Sequence, residues 1–141
     1  MDTTAKIFVV GHQGLVDSGI ARKLIESRFK NLVLKTHREL DLTRKADVEK
    51  FFSDERPKYV IVTAAKVGGI HANNTYPADF ISINLQIQTN VIDASYRNGT
   101  KKLLFLGSSC IYPKFAPQPI IEEAFLTGPL ELINRTMVFL C

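Results

Sequence analysis

The sequence predicts an α/β protein built on a doubly wound parallel sheet. Short β-branched runs alternate with longer stretches of helical periodicity, which is the pattern of βαβ units. The runs are almost continuously apolar, as parallel strands covered by helices on both faces should be. A glycine-rich turn follows the first run directly and opens a helix. These three observations together favour a nucleotide-binding sheet of the Rossmann type.

Four strands are predicted from the apolar runs. They cover residues 6–10, 31–35, 59–63 and 102–107. Right-handed crossovers and the usual doubly wound arrangement predict the spatial order 3-2-1-4. This order puts the switch point, where ligands bind, between strands 1 and 4. It also leaves strand 4 as an edge, open to pairing with other chains.

Three helices are predicted between the strands, over residues 15–28, 46–55 and 77–98. In the first, Val16, Ile20 and Leu24 recur at four-residue spacing and form an apolar stripe. Pro77 suits the first turn of the third helix, and the Asn98-Gly99 pair suits its C-terminal cap.

The composition is that of an ordinary globular domain. The 141 residues are 45% hydrophobic and 23% charged, a length and balance that predict one core. No apolar run could span a bilayer, and the net charge of +4 is scattered, so we expect neither a membrane nor a nucleic-acid partner. Cys110 and Cys141 fit neither zinc-ligand spacing nor a disulfide framework. The sequence therefore predicts no metal site and a reducing, cytoplasmic location.

The turn after strand 1 is the first candidate site and reads GHQGLVD from Gly11 to Asp17. Its two glycines let backbone amides approach a pyrophosphate, and the following helix adds a partial positive charge. Asp17 stands where the pattern has a third glycine, and its carboxylate lies near the intended phosphates. Alternatively, Asp17 only complements the helix dipole. In either case we expect weaker dinucleotide binding.

The tip of strand 2 favours NADP over NAD. An NAD-binding protein usually has an acid there for the ribose 2′-hydroxyl, but this tip reads Lys35-Thr36-His37-Arg38. A basic tip suits the 2′-phosphate of NADP. The alternative is a solvated loop with a few positive residues.

Two further strand ends carry candidate residues. After strand 3, Ala64-Ala65-Lys66 begins a turn of small residues that lets a cofactor pass close to the backbone. The alternative is an ordinary strand exit without a ligand. After strand 4, the segment from Leu106 to Pro113 brings hydroxyl, thiol and phenol groups to the switch point. This favours a reaction site, with a simple Ser-rich loop as the alternative.

Several longer segments carry a resemblance to a known family. They read GHQGLV, ELDLT, AAKVGGIHANNTYPADF, NLQIQTN and KLLFLGSSCIYPKFAPQPI. Together they resemble the GDP-L-fucose synthases, which are extended short-chain dehydrogenases/reductases, and the plant forms are nearest. The resemblance runs over residues 6–130.

The resemblance implies an NADP-dependent enzyme that converts GDP-4-keto-6-deoxy-D-mannose to GDP-L-fucose by epimerisation and then reduction. It also implies roles for individual residues. Ser108 would hydrogen-bond the keto oxygen, and Cys110 would transfer a proton in the epimerisation. The cofactor would be held by Gly11, His12, Gln13, Gly14, Leu15, Val16, Asp17, His37, Arg38, Asp41, Leu42, Ala64, Ala65, Lys66, Leu106, Gly107, Ser108 and Ser109.

The last residues depart from the family pattern. Family members have a tyrosine that acts as the acid and a lysine that lowers its pKa, four residues apart; here Met137 and Cys141 take those places. We therefore expect an NADP-binding Rossmann part over residues 1–130 and a divergent tail over 131–141, without the substrate domain. Gln13 likewise replaces a family arginine near the 2′-phosphate, which further weakens cofactor capture.

Three hypotheses follow. The first is a homologue that is inactive alone, lacks the substrate domain that would bind the nucleotide sugar, and keeps a residual NADP site. The second is a non-catalytic interaction protein that forms a homodimer or pairs with an intact subunit through the helix from Pro77 to Asn98, since the family dimerises through helices that include this one. The third is a chain that does not persist in a folded form, because strand 4 is an open edge.

Overall fold

The computed structural model describes residues 2–11 and 14–130. The divergent tail expected over residues 131–141 therefore lies outside the described residues, as do His12 and Gln13. In chain order, the elements are β1 (Ile7–Val10), α1 (Leu15–Glu26), β2 (Leu32–Lys35), α2 (Lys45–Glu55), β3 (Tyr59–Val62), α3 (Ile70–Thr75), α4 (Pro77–Arg97) and β4 (Lys102–Phe105). Two short 3-10 turns follow, Ser109–Ile111 and Glu122–Ala124. The predicted α/β class is confirmed, and α3 is an additional helix.

The four strands form one parallel sheet, but in an order that differs from the prediction. The order is β2-β1-β3-β4, and Val10 pairs with Lys35 on one side and with Val62 on the other. The predicted order 3-2-1-4 was wrong. After α2 the chain crosses over β1, and β3 therefore pairs with the edge of β1 that faces away from β2. The observed order agrees with the burial of the strands. β3, an interior strand, is almost wholly buried, whereas each residue of β2, an edge strand, is half-buried. The switch point consequently lies between β1 and β3, not between strands 1 and 4.

The two faces of β1 pack against different helices. Ile7 and Val9 belong to a cluster that also contains Ile20 and Leu24 of α1. The alternate residue Phe8 faces α2, where its ring centroid lies 4.6 Å from that of Phe51 and 6.0 Å from that of Phe52. Successive side chains of a strand point to opposite faces, so a four-residue apolar strand serves both layers. This accounts for the near-complete burial of β1.

Local sequence sets the ends of the helices. Pro77 is the first residue of α4 and Arg97 is the last, so the predicted start is confirmed. At the other end, the N–H of Gly99 donates to the carbonyl oxygen of Tyr96 (3.2 Å) with Gly99 at φ +71°. This is the left-handed cap that the Asn98-Gly99 pair predicts.

Two details depart from the expected packing. Val16 was predicted to lie on the apolar stripe of α1, but it is exposed, and Asp17 and Ala21 are the buried residues of that helix. β4 is an edge strand on which exposed and half-buried residues alternate, and Leu104 is 48% exposed. The hypothesis that this open edge keeps the chain from persisting in a folded form stays a prediction.

The described residues form two compact units, and the single core that chain length suggests stays a prediction. The first comprises Met1–Ala65 with Gln86–Leu106 and contains the whole sheet. The second comprises Lys66–Leu85 with the described residues from Gly107 onward. Of the helices in the described part of the chain, none combines the length and hydropathy that a membrane span requires.

The aromatic cluster on the α2 face gives a test of this packing. Phe52 is fully buried, whereas Phe51 is half-buried. We expect Phe52→Ala to lower the free energy of unfolding by about 3–5 kcal/mol, because it leaves a cavity that the sheet cannot fill. Phe51→Ala is the matched control and should cost clearly less. Urea denaturation measures both, and equal losses would contradict the assigned burial.

Candidate functional site

The carboxyl ends of β1 and β3 lie side by side, which makes them the centre of the candidate site. The Thr63 hydroxyl donates to the carbonyl oxygen of Val10 (2.6 Å) and ties the two strand exits together. Gly11 follows at φ +90°, a left-handed conformation that favours glycine. A Cβ atom at residue 11 would lie 3.1 Å from Ala64 Cβ and 3.2 Å from Ala64 Cα. A side chain at this position would therefore meet both unfavourable torsion and the neighbouring backbone.

The turn leads directly into α1. The N–H of Gly14 donates to the carbonyl oxygen of Gly11 (2.9 Å), and Gly14 is the N-cap residue of the helix. Gly14 has no side chain with which to cap the helix, and Leu15, in the first turn, is 91% exposed. The first N–H groups of a helix lack partners within it and carry partial positive charge. This end of α1 is therefore suited to an anion.

Asp17 occupies the space above the turn. It is only 5% exposed, and its Oδ2 atom lies 2.9 Å from where a Cβ would stand on Gly11 and 2.6 Å from the equivalent point on Gly14. The carboxylate thus fills the hollow that the two glycines leave open. A bound phosphate would meet a negative charge there at close range.

The tip of β2 is an ordered turn that presents two basic residues. Thr36 donates from its N–H (2.8 Å) and its hydroxyl (2.7 Å) to Glu39 Oε2. The N–H of Glu39 donates in return to the Thr36 hydroxyl oxygen (3.3 Å), which completes a reciprocal cap. His37 and Arg38, in the middle of this turn, are exposed. They can therefore meet an anionic ligand from solvent.

Beyond the tip, Asp41 and Thr43 make a second tight turn. Asp41 Oδ1 accepts from the N–H (3.0 Å) and the hydroxyl (2.7 Å) of Thr43. These hydrogen bonds to the ionised form, the hydroxyl's first, hold the pKa of Asp41 below its ordinary value, and the nearby His37 and Arg44 act in the same direction. Leu42, between them, is buried. This segment is fixed by hydrogen bonds and burial together.

Sequence reasoning missed the residue that anchors this turn from outside. Asn90 of α4 donates through Nδ2 to the carbonyl oxygens of Leu42 (2.9 Å) and Thr43 (3.1 Å). No local pattern in the sequence identifies Asn90, because the two carbonyl groups that it binds lie 48 and 47 residues earlier in the chain.

In the second unit, the loop after β3 is held by another asparagine that sequence reasoning missed. Asn84 is 2% exposed; its Oδ1 accepts from the N–H of Lys66 (2.6 Å), and its Nδ2 donates to the Lys66 carbonyl oxygen (3.0 Å). The Lys66 ammonium lies 5.2 Å from the centroid of the Phe80 ring. Spacing could have revealed Asn84, because it falls four residues after Phe80 and three before Ile87 on the buried stripe of α4.

The residues after β4 that were expected to react also lie in the second unit. Ser108 caps a short 3-10 turn, since its Oγ accepts from the N–H of Cys110 (3.2 Å). The Ser108 hydroxyl keeps its own proton to donate, as a group that binds a carbonyl oxygen must. Cys110 is a half-buried free thiol, while Gly107 and Ser109 are exposed.

The structure places some of the predicted site residues in the first unit and the others in the second unit. Gly11, Gly14, Asp17 and Ala64 come together around one turn, while His37, Arg38, Asp41 and Leu42 follow β2 in the same unit. Leu106 continues β4, its N–H donating to the Val62 carbonyl oxygen (3.0 Å). Lys66, Ser108 and Cys110 belong to the second unit, and Ala65 is exposed. Within the described ranges, no three His, Cys, Asp or Glu side chains group so as to hold a metal ion.

Comparison with known proteins agrees with this geometry. GDP-L-fucose synthase 1 of Arabidopsis thaliana is 74% identical over 134 residues, which are 95% of this chain and 42% of that protein. A GDP-D-glycero-L-gluco-heptose synthase of Campylobacter jejuni, solved in the presence of NADPH, is 43% identical with a TM-score of 0.92, over 99% of this chain and 41% of that one. A GDP-L-fucose synthetase of Naegleria fowleri bound to NADP is 26% identical with a TM-score of 0.85, over 99% and 42%.

The chain thus spans about two-fifths of the length of these relatives. The resemblance to plant GDP-L-fucose synthases is confirmed at the level of sequence. The model of the NAD dependent epimerase/dehydratase family matches residues 7–136, from the first strand through the whole of the sheet. With its glycine turn at the switch point of a parallel sheet, the chain belongs to the NAD dependent epimerase/dehydratase family.

Proposed function

We propose that this chain is the NADP-binding part of a GDP-L-fucose synthase type of protein, that it binds NADP weakly, and that alone it does not reduce the nucleotide sugar. The observation that supports NADP binding most is Gly11 at φ +90° against Ala64, at the switch point and directly before α1. Such a turn brings backbone N–H groups and a helix N-terminus to a diphosphate.

The choice of NADP rests on the tip of β2. His37 and Arg38 are exposed on a turn that Thr36 and Glu39 hold in place, so the positive charge of Arg38 and the ring nitrogens of His37 are available without reorganisation. A 2′-phosphate adds negative charge that Arg38 can neutralise, and NAD lacks this phosphate. The NADP-bound relative from Naegleria fowleri supports the same choice.

The proposed weakness rests on Asp17. The reduced cofactor, NADPH, would supply the hydride for reduction, and both forms of the cofactor carry a diphosphate that would lie against the glycine turn. The buried Asp17 carboxylate already fills that hollow. At about 4 Å two like charges repel by about 4 kcal/mol at an effective dielectric constant of 20. Either the carboxylate moves or the cofactor binds less tightly.

Replacing Asp17 tests this directly. We expect Asp17→Gly to raise the affinity for NADPH at least tenfold (about 1.4 kcal/mol), because it empties the hollow and removes the charge. Asp47→Gly is the matched control, since it removes a carboxylate from the first turn of α2 instead. Isothermal titration or NADPH fluorescence measures both variants. Unchanged affinity in Asp17→Gly would show that the carboxylate does not obstruct the cofactor.

The proposed lack of turnover rests on the resemblance rather than on the described geometry. Ser108 and Cys110 keep the residues of the family's carbonyl-binding and proton-transfer positions. Met137, however, stands at the position of the acid and has no proton to donate to a developing alkoxide. General acid catalysis contributes about 10²- to 10⁴-fold to such reactions.

Turnover gives the corresponding prediction. Purified chain incubated with NADPH and GDP-4-keto-6-deoxy-D-mannose should consume NADPH no faster than a blank without protein. Absorbance at the NADPH band measures the rate, and an intact GDP-L-fucose synthase serves as the positive control. Consumption above the blank that increases with the amount of chain would overturn the proposed inactivity.

A second candidate function is pairing with another subunit, and the exposed face of α4 favours it. Ile92 is 48% exposed and Tyr96 is 85% exposed, one turn apart on the same side of the helix. With Gln88, Thr89 and Asp93 they line an open groove. Exposed aromatic and aliphatic side chains grouped in this way are typical of interfaces. We propose that this face binds a second copy of the chain or an intact relative.

Loss of the aromatic side chain should weaken such pairing. We expect Tyr96→Glu to shift the chain toward the monomer by at least tenfold in dissociation constant, because it places a charge in the centre of an apolar contact. Tyr76→Glu is the matched control, since Tyr76 is also exposed but precedes α4. Sedimentation velocity measures both variants. A wild-type chain that stays monomeric alone and with the intact relative would contradict the proposal.

A further inference from the structure

The side-chain amide of Asn90 bridges two segments that are far apart in the sequence. It lies on α4, and its Nδ2 donates to the carbonyl oxygens of Leu42 (2.9 Å) and Thr43 (3.1 Å), 48 and 47 residues earlier. One NH₂ group carries two protons, so these two bonds use its full donor capacity. Such an amide fixes two consecutive peptide groups at once.

The segment held in this way follows β2 at the ligand-binding end of the sheet. β2 pairs in parallel with β1, and Lys35 at its end lies opposite Val10, directly before Gly11. In open α/β sheets, ligands bind outside the carboxyl ends of strands beside the switch point. Residues 41–43 therefore belong to the half of the site farthest from β4.

Three independent contacts make this segment rigid. Asp41 accepts two hydrogen bonds from Thr43, the side chain of Leu42 is buried, and Asn90 holds the carbonyl oxygens from the other side. The turn at Asp41 satisfies groups within the segment, and the side-chain amide of Asn90 fixes the backbone of the segment to α4. Removing the amide would leave two carbonyl oxygens without that donor.

We propose that Asn90 is a positioning residue for the adenosine end of the cofactor. It acts through the backbone of Leu42 and Thr43, and thereby sets the orientation of Asp41, without itself touching the ligand. The inference rests on the proposed function, because it assigns a new residue to the same dinucleotide site. It predicts that a helix outside the glycine turn and the β2 tip controls affinity for the adenylate half.

The test uses the whole 141-residue chain and adenosine 2′,5′-bisphosphate, a probe that contains only the adenylate half. We expect Asn90→Ala to weaken binding about fivefold to tenfold, and Asn90→Asp at least as much, because its carboxylate would face two carbonyl oxygens. Asn90→Ser keeps one short donor and should fall between wild type and Asn90→Ala. NMR titration of ¹⁵N-labelled protein, well below the lowest melting temperature, measures even millimolar affinities.

Thr100→Val is the matched control. The Thr100 hydroxyl donates to the carbonyl oxygen of Pro57 (3.1 Å), a similar long-range tie at the amino ends of β3 and β4. It should lower thermal stability comparably and leave affinity within twofold of wild type. An equal loss of affinity in Thr100→Val would show a general effect of stability and overturn the inference.

The outcomes separate this inference from the proposed function. If wild type binds the probe and all folded Asn90 variants bind it equally well, the positioning role is wrong while the NADP site stands. If wild type binds neither the probe nor NADPH, the proposed function is wrong and the inference is wrong with it. Should Asn90→Ala not fold, the comparison of Asn90→Ser with wild type decides the matter.

Discussion

The candidate site depends on the close approach of two strand exits. Thr63 bonds to the carbonyl oxygen of Val10, and Gly11 then turns away at φ +90° with its α-carbon against Ala64. There is no room for a β-carbon at residue 11, and the torsion disfavours one as well. This contact sets the direction of the chain as it enters α1, so it determines where the N-terminus of the helix points.

The same turn shows how a chain could keep this fold without keeping a high affinity for the cofactor. The two glycines leave a hollow of the kind that a diphosphate occupies, and in this chain the carboxylate of Asp17 lies in it. The fold does not require the hollow to be empty, because a buried carboxylate above the turn is compatible with every strand pairing described here. Under the proposal of weak NADP binding, a nucleotide does require it, and this chain would keep its relatives' fold while losing part of the affinity.

α4 supports the site from outside the sheet. Two of its asparagines use their side-chain amides on backbone groups, Asn84 at Lys66 in one unit and Asn90 at Leu42 and Thr43 in the other. Polar side chains on or beside the buried stripe of a helix are costly unless their hydrogen bonds are satisfied. Both asparagines satisfy them on loops that bear predicted cofactor-binding residues.

The sequence predicted local features well and long-range placement poorly. The apolar runs predicted four strands because each contains at least three consecutive apolar residues, and Pro77 and Gly99 marked helix ends through their backbone torsions. The strand order was missed because the position of β3 depends on packing against β1, which no local pattern encodes. Asn90 was missed for the same reason, since its partners lie nearly fifty residues away.

The central claim is that the exits of β1 and β3 form a dinucleotide site. The most direct measurement is the map of backbone amide chemical-shift changes as NADPH is added to the ¹⁵N-labelled chain. The account predicts the largest changes at Gly11, Gly14 and Ala64, together with the segment from His37 to Thr43. Changes confined to other surfaces, with these amides unmoved at saturating NADPH, would contradict it.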